Sequence, residues 1–287
     1  MRPLVLITGA SSGIGLATAL ACAEAGFEVV ATMRNLERRA ELEARASAQA
    51  LLADGDTALD IPAIHLEQLD VTAPDVDDKV RELLLKYGPI ENLVNNAGIG
   101  VGGVFEEQSD QDVRDQFETN VFGVMAVTRA LLPAMRAARH GRIVNVSSLS
   151  GSIGVPGLSV YSATKHALEG FSEALHHEVV DFGVQVSVVA PGTIRTAIFE
   201  ENQRRGALID PEGAYGALSG RIEKQLLEAA ASAPGPEIVG RRIAELLREP
   251  APPLRTIVGG PARAVSTLRR VVPDGLFASG MRRLLGL

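Results

Sequence analysis

The chain has 287 residues, 46% hydrophobic and only 4% aromatic with no Trp, so a large core has to be built from Ala, Val, Leu and Ile, which suits packed helices and buried parallel strands. Its net charge of −7 argues against a nucleic-acid binder, which needs a basic face. One cysteine excludes an intrachain disulfide, and no apolar run reaches the roughly 18 residues that a bilayer span requires.

Cys22 lies in an Ala-rich helical run and reads as a small core residue. The apolar start at 4–7 is too short for a signal peptide and runs into a glycine loop, so a soluble, cytoplasmic protein is expected. Arg269, Arg270, Arg282 and Arg283 make the tail locally basic, which reads as a solvated or interface face.

In chain order, short and nearly continuous apolar runs predict strands at 4–7, 28–32, 63–69, 92–95, 141–146 and 185–189, buried on both faces. Longer amphipathic stretches between them predict helices at 14–25, 36–52, 75–87, 110–138 and 160–181, the fourth opened by a capping box at Ser109 and Asp112. Breakers from Asp54 to Pro62 mark a loop. Beyond residue 196 the pattern changes. Residues 197–235 have helical propensity interrupted by Gly206, Pro211, Gly213 and Gly220, which reads as a helical flap over a site. A helix at 236–248 with Pro236 in its first position, a seventh strand at 254–258 and a helical tail at 262–287 broken at Pro273 complete the chain. Alternation of this kind predicts an α/β fold: one doubly wound Rossmann domain over 1–287, a seven-stranded parallel sheet with helices on both faces.

The first strand ends in Thr8-Gly9-Ala10-Ser11-Ser12-Gly13-Ile14-Gly15 and a helix begins there. A strand, a glycine loop and a helix N-terminus offer free backbone N–H groups and a positive dipole end to a pyrophosphate. Gly9 permits the turn, Gly13 lets the backbone approach phosphate, and Gly15 lets helix and strand pack closely.

The spacing T-G-x-x-x-G-x-G resembles the glycine loop of the short-chain dehydrogenase/reductase family. Further matches follow in family order: Asp70-Val71, Asn95-Asn96-Ala97-Gly98, Asn120, the strand Gly141 to Val146 ending in Ser147-Ser148, Tyr161-Ser162-Ala163-Thr164-Lys165, and Pro191-Gly192. Together they span about residues 3–260. The 161–170 stretch and the tail further resemble bacterial relatives of 17β-hydroxysteroid and retinol dehydrogenases. The resemblance implies an oxidoreductase interconverting an alcohol and a ketone or aldehyde. Gly9, Ser11, Ser12, Gly13, Ile14, Gly15, Arg34, Asp70, Val71, Asn96, Ala97, Gly98, Pro191, Gly192, Ile194 and Thr196 would hold its dinucleotide, together with Tyr161 and Lys165.

Tyr161 and Lys165, four apart on a helix, lie on one face. A ketone reductase needs a proton donor at the oxygen, and a nearby ammonium favours the phenolate and lowers the tyrosine pKa. Tyr161 would then be acid in reduction and base in oxidation, with Lys165 also on the nicotinamide ribose. Ser148 and Ser147 both compete to bind the substrate oxygen, since adjacent residues point to opposite faces. The family's 13-residue spacing to the tyrosine selects Ser148. Asn120, by the same resemblance, holds a water that relays protons to Lys165. His166, His176 and His177 form no metal-ligand pattern, so no metal is expected.

At the end of the second strand Met33 takes the place where NAD enzymes put an acid, and Arg34 follows, so NADP(H) is preferred over NAD(H). Glu37 dissents, as a potential partner for Arg34. Ile198, Phe199, Leu208, Ile209, Tyr215 and Leu218 offer an apolar lining for a bulky steroid-, retinoid- or aromatic-ketone-like substrate, and the helices 110–138 and 160–181 suggest a homodimer or homotetramer. An epimerase or dehydratase on the same fold, or a regulator that senses the dinucleotide without chemistry, are the rival readings.

Overall fold

The computed structural model describes residues 2–53, 63–196, 203–205 and 212–284. In chain order it runs β1 (Leu4–Ile7), α1 (Gly13–Glu24), β2 (Glu28–Met33), α2 (Ala40–Ala53), β3 (Ile64–Gln68), α3 (Val76–Tyr87), β4 (Asn92–Asn95), β5 (Gly100–Gly102), α4 (Asp110–Phe117), α5 (Gly123–Ala138), β6 (Gly141–Val146), α6 (Ser159–Val179), β7 (Val184–Pro191), β8 (Gln203–Arg205), α7 (Gly216–Ala231), α8 (Glu237–Leu246), β9 (Arg255–Val258), α9 (Gly260–Val271) and α10 (Asp274–Leu284).

Seven strands form one parallel sheet in the order β3-β2-β1-β4-β6-β7-β9. This is the doubly wound Rossmann arrangement expected from the alternation. Successive strand residues feed opposite cores, as a two-residue period dictates. In β1, Val5 and Ile7 pack with Leu16, Cys22, Val239 and Ile243 on one face. Leu4 and Leu6 pack with Val80, Val127 and Leu131 on the other. Cys22 is buried as expected, and burial pushes its thiol up to about 12. The order reverses between β1 and β4, which opens a crevice at the carboxyl ends of those strands, the usual ligand position in such sheets.

Several expectations need correction. β3 is an edge strand with mostly half-buried residues, because among the described residues nothing pairs beyond it. The segment 197–235 is not wholly helical: β8 pairs in parallel with β5, and α7 is its helix. Of the proposed lining residues, Ile198, Phe199, Leu208 and Ile209 lie outside the described residues. Pro236 is the N-cap of α8 rather than its first residue. The predicted helix 110–138 is continuous but contains a π turn at Glu118–Phe122 between α4 and α5. The capping box at Ser109 and Asp112 is present, with Ser109 Oγ accepting from the Asp112 N–H at 3.1 Å. Contrary to the composition argument, Asp110–Ala138 is long and apolar enough to cross a membrane by length and composition. Val127, Leu131 and Met135 bury its inner face in the second core, as in a core helix.

Candidate active site

A cleft of about 380 Å³ lies over the carboxyl ends of the central strands. Its floor is the glycine loop. Ser12 is the N-cap of α1 but makes no capping bond, and the first turn carries no acid, so the helix presents its positive end unneutralised. Gly9 has φ +70°, and a Cβ there would come within 2.8 Å of the Ala97 backbone. A Cβ on Gly15 would lie 2.2 Å from the Gly9 carbonyl oxygen. Only glycine fits at both.

The Asn96 turn clamps this loop. Asn96 Nδ2 donates to the carbonyls of Thr8 (3.0 Å) and Gly9 (2.9 Å). Thr8 Oγ1 accepts from the N–H groups of Asn96 and Ala97, both at 3.0 Å. Thr8 carried no assigned role in the sequence reading; a hydroxyl at the end of the first strand was its only signal.

Beneath the cleft a buried polar row ties the helices to the sheet. Asn95 Nδ2 donates to Thr128 Oγ1 at 3.0 Å and to Asn145 Oδ1 at 2.8 Å, and Asn145 Nδ2 donates to Ser172 Oγ at 2.8 Å. Four elements, β4, α5, β6 and α6, are thereby held in register under the site.

Ser148, Tyr161 and Lys165 all line the cleft. Ser148 Oγ accepts from the Ser150 N–H at 3.1 Å and lies within hydrogen-bonding reach of the Tyr161 phenol. Lys165 Nζ donates to the Val146 carbonyl at 2.9 Å and sits 5.6 Å from the Tyr161 ring centre. Ser147 also borders the cleft, but its buried Oγ has no partner among the described residues.

The electrostatics differ from expectation. Burial pushes the Tyr161 phenol up to about 12, with Ser148 pulling it back, where a lowering by Lys165 was anticipated. Burial also brings the Lys165 ammonium down to about 8, opposed by the charge of Glu169 one turn further along α6. Desolvation penalises both charged forms and here exceeds the opposing pull of Ser148 on Tyr161 and of Glu169 on Lys165. Glu169 was missed in the sequence. It is 6% exposed because Arg255 Nε on β9 donates to it at 2.6 Å.

Asn120 is wholly buried in the π turn, a feature common at functional sites. Its Nδ2 donates to the Ile99 carbonyl (2.8 Å) and Thr164 Oγ1 (3.1 Å), and its Oδ1 accepts from the Ile99 N–H (2.9 Å). Both amide protons are therefore committed, and the side chain is not among the residues lining the cleft. A Cβ on Gly98 would still meet Asn120 Oδ1 at 3.2 Å and Lys165 Nζ at 3.8 Å, so the three converge.

Ser11, Ser12, Gly13 and Ile14 line the glycine-loop end. Asp70 and Val71 line the side wall, the Asp70 carboxylate accepting from Thr72 Oγ1 at 2.7 Å. Ala97 lies against Gly9, and Thr196 lies near Gly13, on the glycine-loop side; Gly98 lies beside Lys165, and Pro191, Gly192 and Ile194 complete the lining. Arg34 lines the cleft together with Asn35 and Arg38, which the Arg34 assignment left secondary. Among the described residues no three His, Cys, Asp or Glu side chains group as metal ligands.

Residues 3–206 match the family model described as short chain dehydrogenase. The chain is 33% identical over 285 residues to the 3-ketodihydrosphingosine reductase of Bacteroides thetaiotaomicron, covering 98% of each chain. The crystal structure of a short-chain dehydrogenase from Streptomyces avermitilis superposes with a TM-score of 0.78 at 35% identity, covering 97% of this chain and 94% of that one. A short-chain dehydrogenase/reductase from Burkholderia phymatum, solved in complex with NAD, gives a TM-score of 0.77 at 26% identity over 94% and 93% of the two chains.

Proposed function

The chain belongs to the short-chain dehydrogenase family, and from that premise we propose that it is an NADP(H)-dependent oxidoreductase interconverting a ketone and a secondary alcohol. The observation that carries this reading is the convergence of Ser148, Tyr161 and Lys165 on a cleft floored by an uncapped helix N-terminus.

The residues present fit a dinucleotide. The α1 N-terminus and the tight Gly9–Gly15 approach suit a pyrophosphate, Asp70 and Val71 the adenine, and Lys165 the nicotinamide ribose. Pro191, Gly192, Ile194 and Thr196 would flank the nicotinamide. When bound, this cofactor supplies or accepts the hydride. The chain's own part is proton handling and orientation. The Ser148 hydroxyl positions the substrate oxygen beside Tyr161. With its phenol pushed up to about 12, Tyr161 is protonated at neutral pH and donates to that oxygen in reduction. The Lys165 charge, present below about 8, stabilises the phenolate left behind. Asn120 holds the loop at Ile99 and, through it, the wall beside Lys165.

We propose a bulky, mostly apolar substrate. The similarity to a 3-ketodihydrosphingosine reductase supports it; Tyr215 and the half-buried Leu218 lie on the flap outside the residues that line the cleft. Tyr215 OH donates to Glu106 at 2.7 Å, tying the flap to the loop after β5. The apolar α4–α5 helix, with Phe122 half exposed, supports a homodimer or homotetramer, and a cytoplasmic location accords with the single buried cysteine. One domain over 1–287 remains the proposed organisation.

The test is a panel of long-chain, aromatic and small polar ketones with NADPH and NADH, followed at the nicotinamide absorbance band. Net cofactor oxidation with apolar ketones is expected. Product formed without net cofactor consumption would indicate an epimerase, and dinucleotide binding without any turnover a sensor.

A further inference from the structure

The tail is basic in an acidic protein. Residues 260–287 hold five arginines and one aspartate, against a net charge of −7 for the chain. α9 and α10 distribute these charges unevenly. On α9, Ala262 and Ser266 are buried and face the body, where Ala262 packs beside Gly192. One residue later around the helix, Arg263, Thr267 and Arg270 form an exposed stripe at i, i+4 and i+7. Beside it Ala264, Leu268 and Val271 form a second stripe with the same spacing, Leu268 being 51% and Val271 72% exposed. α10 adds Leu276 at 69% exposure and Arg282 and Arg283 in its last turn.

Arg269 is neutralised locally: it pairs with Asp274 at 2.6 Å and stacks on Phe277. That contact fixes the corner between α9 and α10. Arg263, Arg270, Arg282 and Arg283 have no ion-pair partner among the described residues, and each lies on an element that also exposes a large apolar side chain. Exposed leucine and valine flanked by unneutralised guanidinium groups match an amphipathic helix lying in the plane of an anionic lipid surface, where the apolar stripe enters the headgroup region and the arginines meet phosphate.

The position adds a consequence. α9 begins directly after β9, and Gly192, which its first turn packs against, lines the cleft. A surface bound by α9 and α10 therefore lies beside the cleft.

We propose that α9 and α10 form a peripheral docking face for an anionic lipid bilayer. Arg263, Arg270, Arg282 and Arg283 supply the electrostatic contact, and Leu268, Val271 and Leu276 insert. The face stands independently of the substrate assignment, and binding is read without turnover. Its proximity to the cleft places the enzyme where an apolar ketone partitions.

The full chain is sedimented with vesicles of phosphatidylcholine alone and of phosphatidylcholine mixed with phosphatidylglycerol. Binding to the mixed vesicles is expected to be at least about tenfold stronger and to weaken with added salt, since each basic residue near such a surface contributes about fivefold. Two variants check the two halves of the face: Arg263→Gln/Arg270→Gln/Arg282→Gln/Arg283→Gln, and Leu268→Ser/Val271→Ser/Leu276→Ser. Each changes only exposed side chains. Each should lose about tenfold or more of the vesicle binding, while the melting temperature and the dinucleotide affinity stay at wild-type values. Equal binding to both vesicle types, or wild-type binding by either variant, would overturn the proposal. So would a fall in mass by light scattering in the leucine variant with no change in sedimentation, which would assign the face to a second copy of the chain.

Discussion

Lys165 Nζ donates a 2.9 Å hydrogen bond to the carbonyl of Val146, so the catalytic-face helix α6 is pinned to the last residue of β6, two positions before Ser148. The lysine thus fixes the geometry of two other site residues as well as carrying charge. It does so at a cost. Its pKa falls from 10.5 to about 8 on burial, so the folded protein is penalised for holding the ammonium at every pH below about 8. The penalty fades as pH rises from about 8 to 10.5, where the unfolded chain also releases the proton. Lys165→Met keeps most of the packed stem and removes the charge. The full difference corresponds to roughly 3 kcal/mol, offset by about 1–3 kcal/mol for an unpaired Val146 carbonyl. The variant should be inactive yet up to about 2 kcal/mol more stable than wild type near neutral pH, with the gain shrinking toward pH 10. Urea unfolding at both pH values checks the sign; a gain that grows with pH would refute the burial argument.

Tyr161→Phe removes only the phenolic oxygen, while the ring still packs under Lys165. Turnover should fall by about 10²–10⁴-fold, with dinucleotide affinity preserved in a fluorescence titration. More than a tenth of the wild-type rate remaining would sink the proton-donor role. The pH profile carries independent information. Reductive kcat/KM should be flat through neutrality, where the phenol is protonated, and decline above about 8 as Lys165 loses its charge.

The sheet was legible because its central strands are short, mostly apolar and rich in β-branched residues, as strands buried on both faces usually are, the polar Asn95 and Asn145 being hydrogen-bonded within the buried row. The β5–β8 pair was not, since Gly100–Gly102 and Gln203–Arg205 are three residues each and gain strand character only from one another. The same holds for the π turn: Asn120 sits there because Ile99 and Thr164 bind its amide, and neither is local. Glu169 reads in sequence as an ordinary solvated helix acid, and its burial depends on Arg255, 86 residues away. The direction of the Tyr161 pKa was misjudged for a related reason: the neighbouring charge is visible in Y-x-x-x-K, whereas the burial that outweighs it is a tertiary property.

Gly15→Ala tests the clamp on the glycine loop. The added methyl would sit 2.2 Å from the Gly9 oxygen and 2.4 Å from Asn96 Nδ2, so the Asn96–Gly9 hydrogen bond has to break or the helix has to move. Overpacking of this kind costs about 1–3 kcal/mol. The expected result is a lower urea midpoint together with dinucleotide binding weakened by tenfold or more, because the loop and the α1 N-terminus shift together. Unchanged affinity in a destabilised variant would separate the loop's shape from its binding role.

Cofactor choice rests on the end of β2. Met33 is 1% exposed and packs into the core, so the strand ends without the acid that would hold a ribose 2′-hydroxyl and repel a 2′-phosphate. Arg34, Asn35 and Arg38 line the cleft at that corner with Ser11. Glu37, the acid nearest Arg34 in sequence, accepts from Asn35 Nδ2 at 3.2 Å. The Arg34 carbonyl accepts from Gln68 Nε2 at 3.1 Å, so the backbone is anchored to the edge strand whatever side chain stands there. Arg34→Ala is therefore a side-chain deletion with little backbone consequence. A charge-assisted contact contributes about 1.5–3 kcal/mol, which corresponds to a preference for NADPH on the order of ten- to a hundredfold in kcat/KM. Arg34→Ala should lower kcat/KM for NADPH by that factor and leave the value for NADH within about twofold. Steady-state rates with both cofactors and both proteins decide it. A wild type that favours NADH, or a variant that loses both cofactors equally, would remove Arg34 from the selection of the 2′-phosphate.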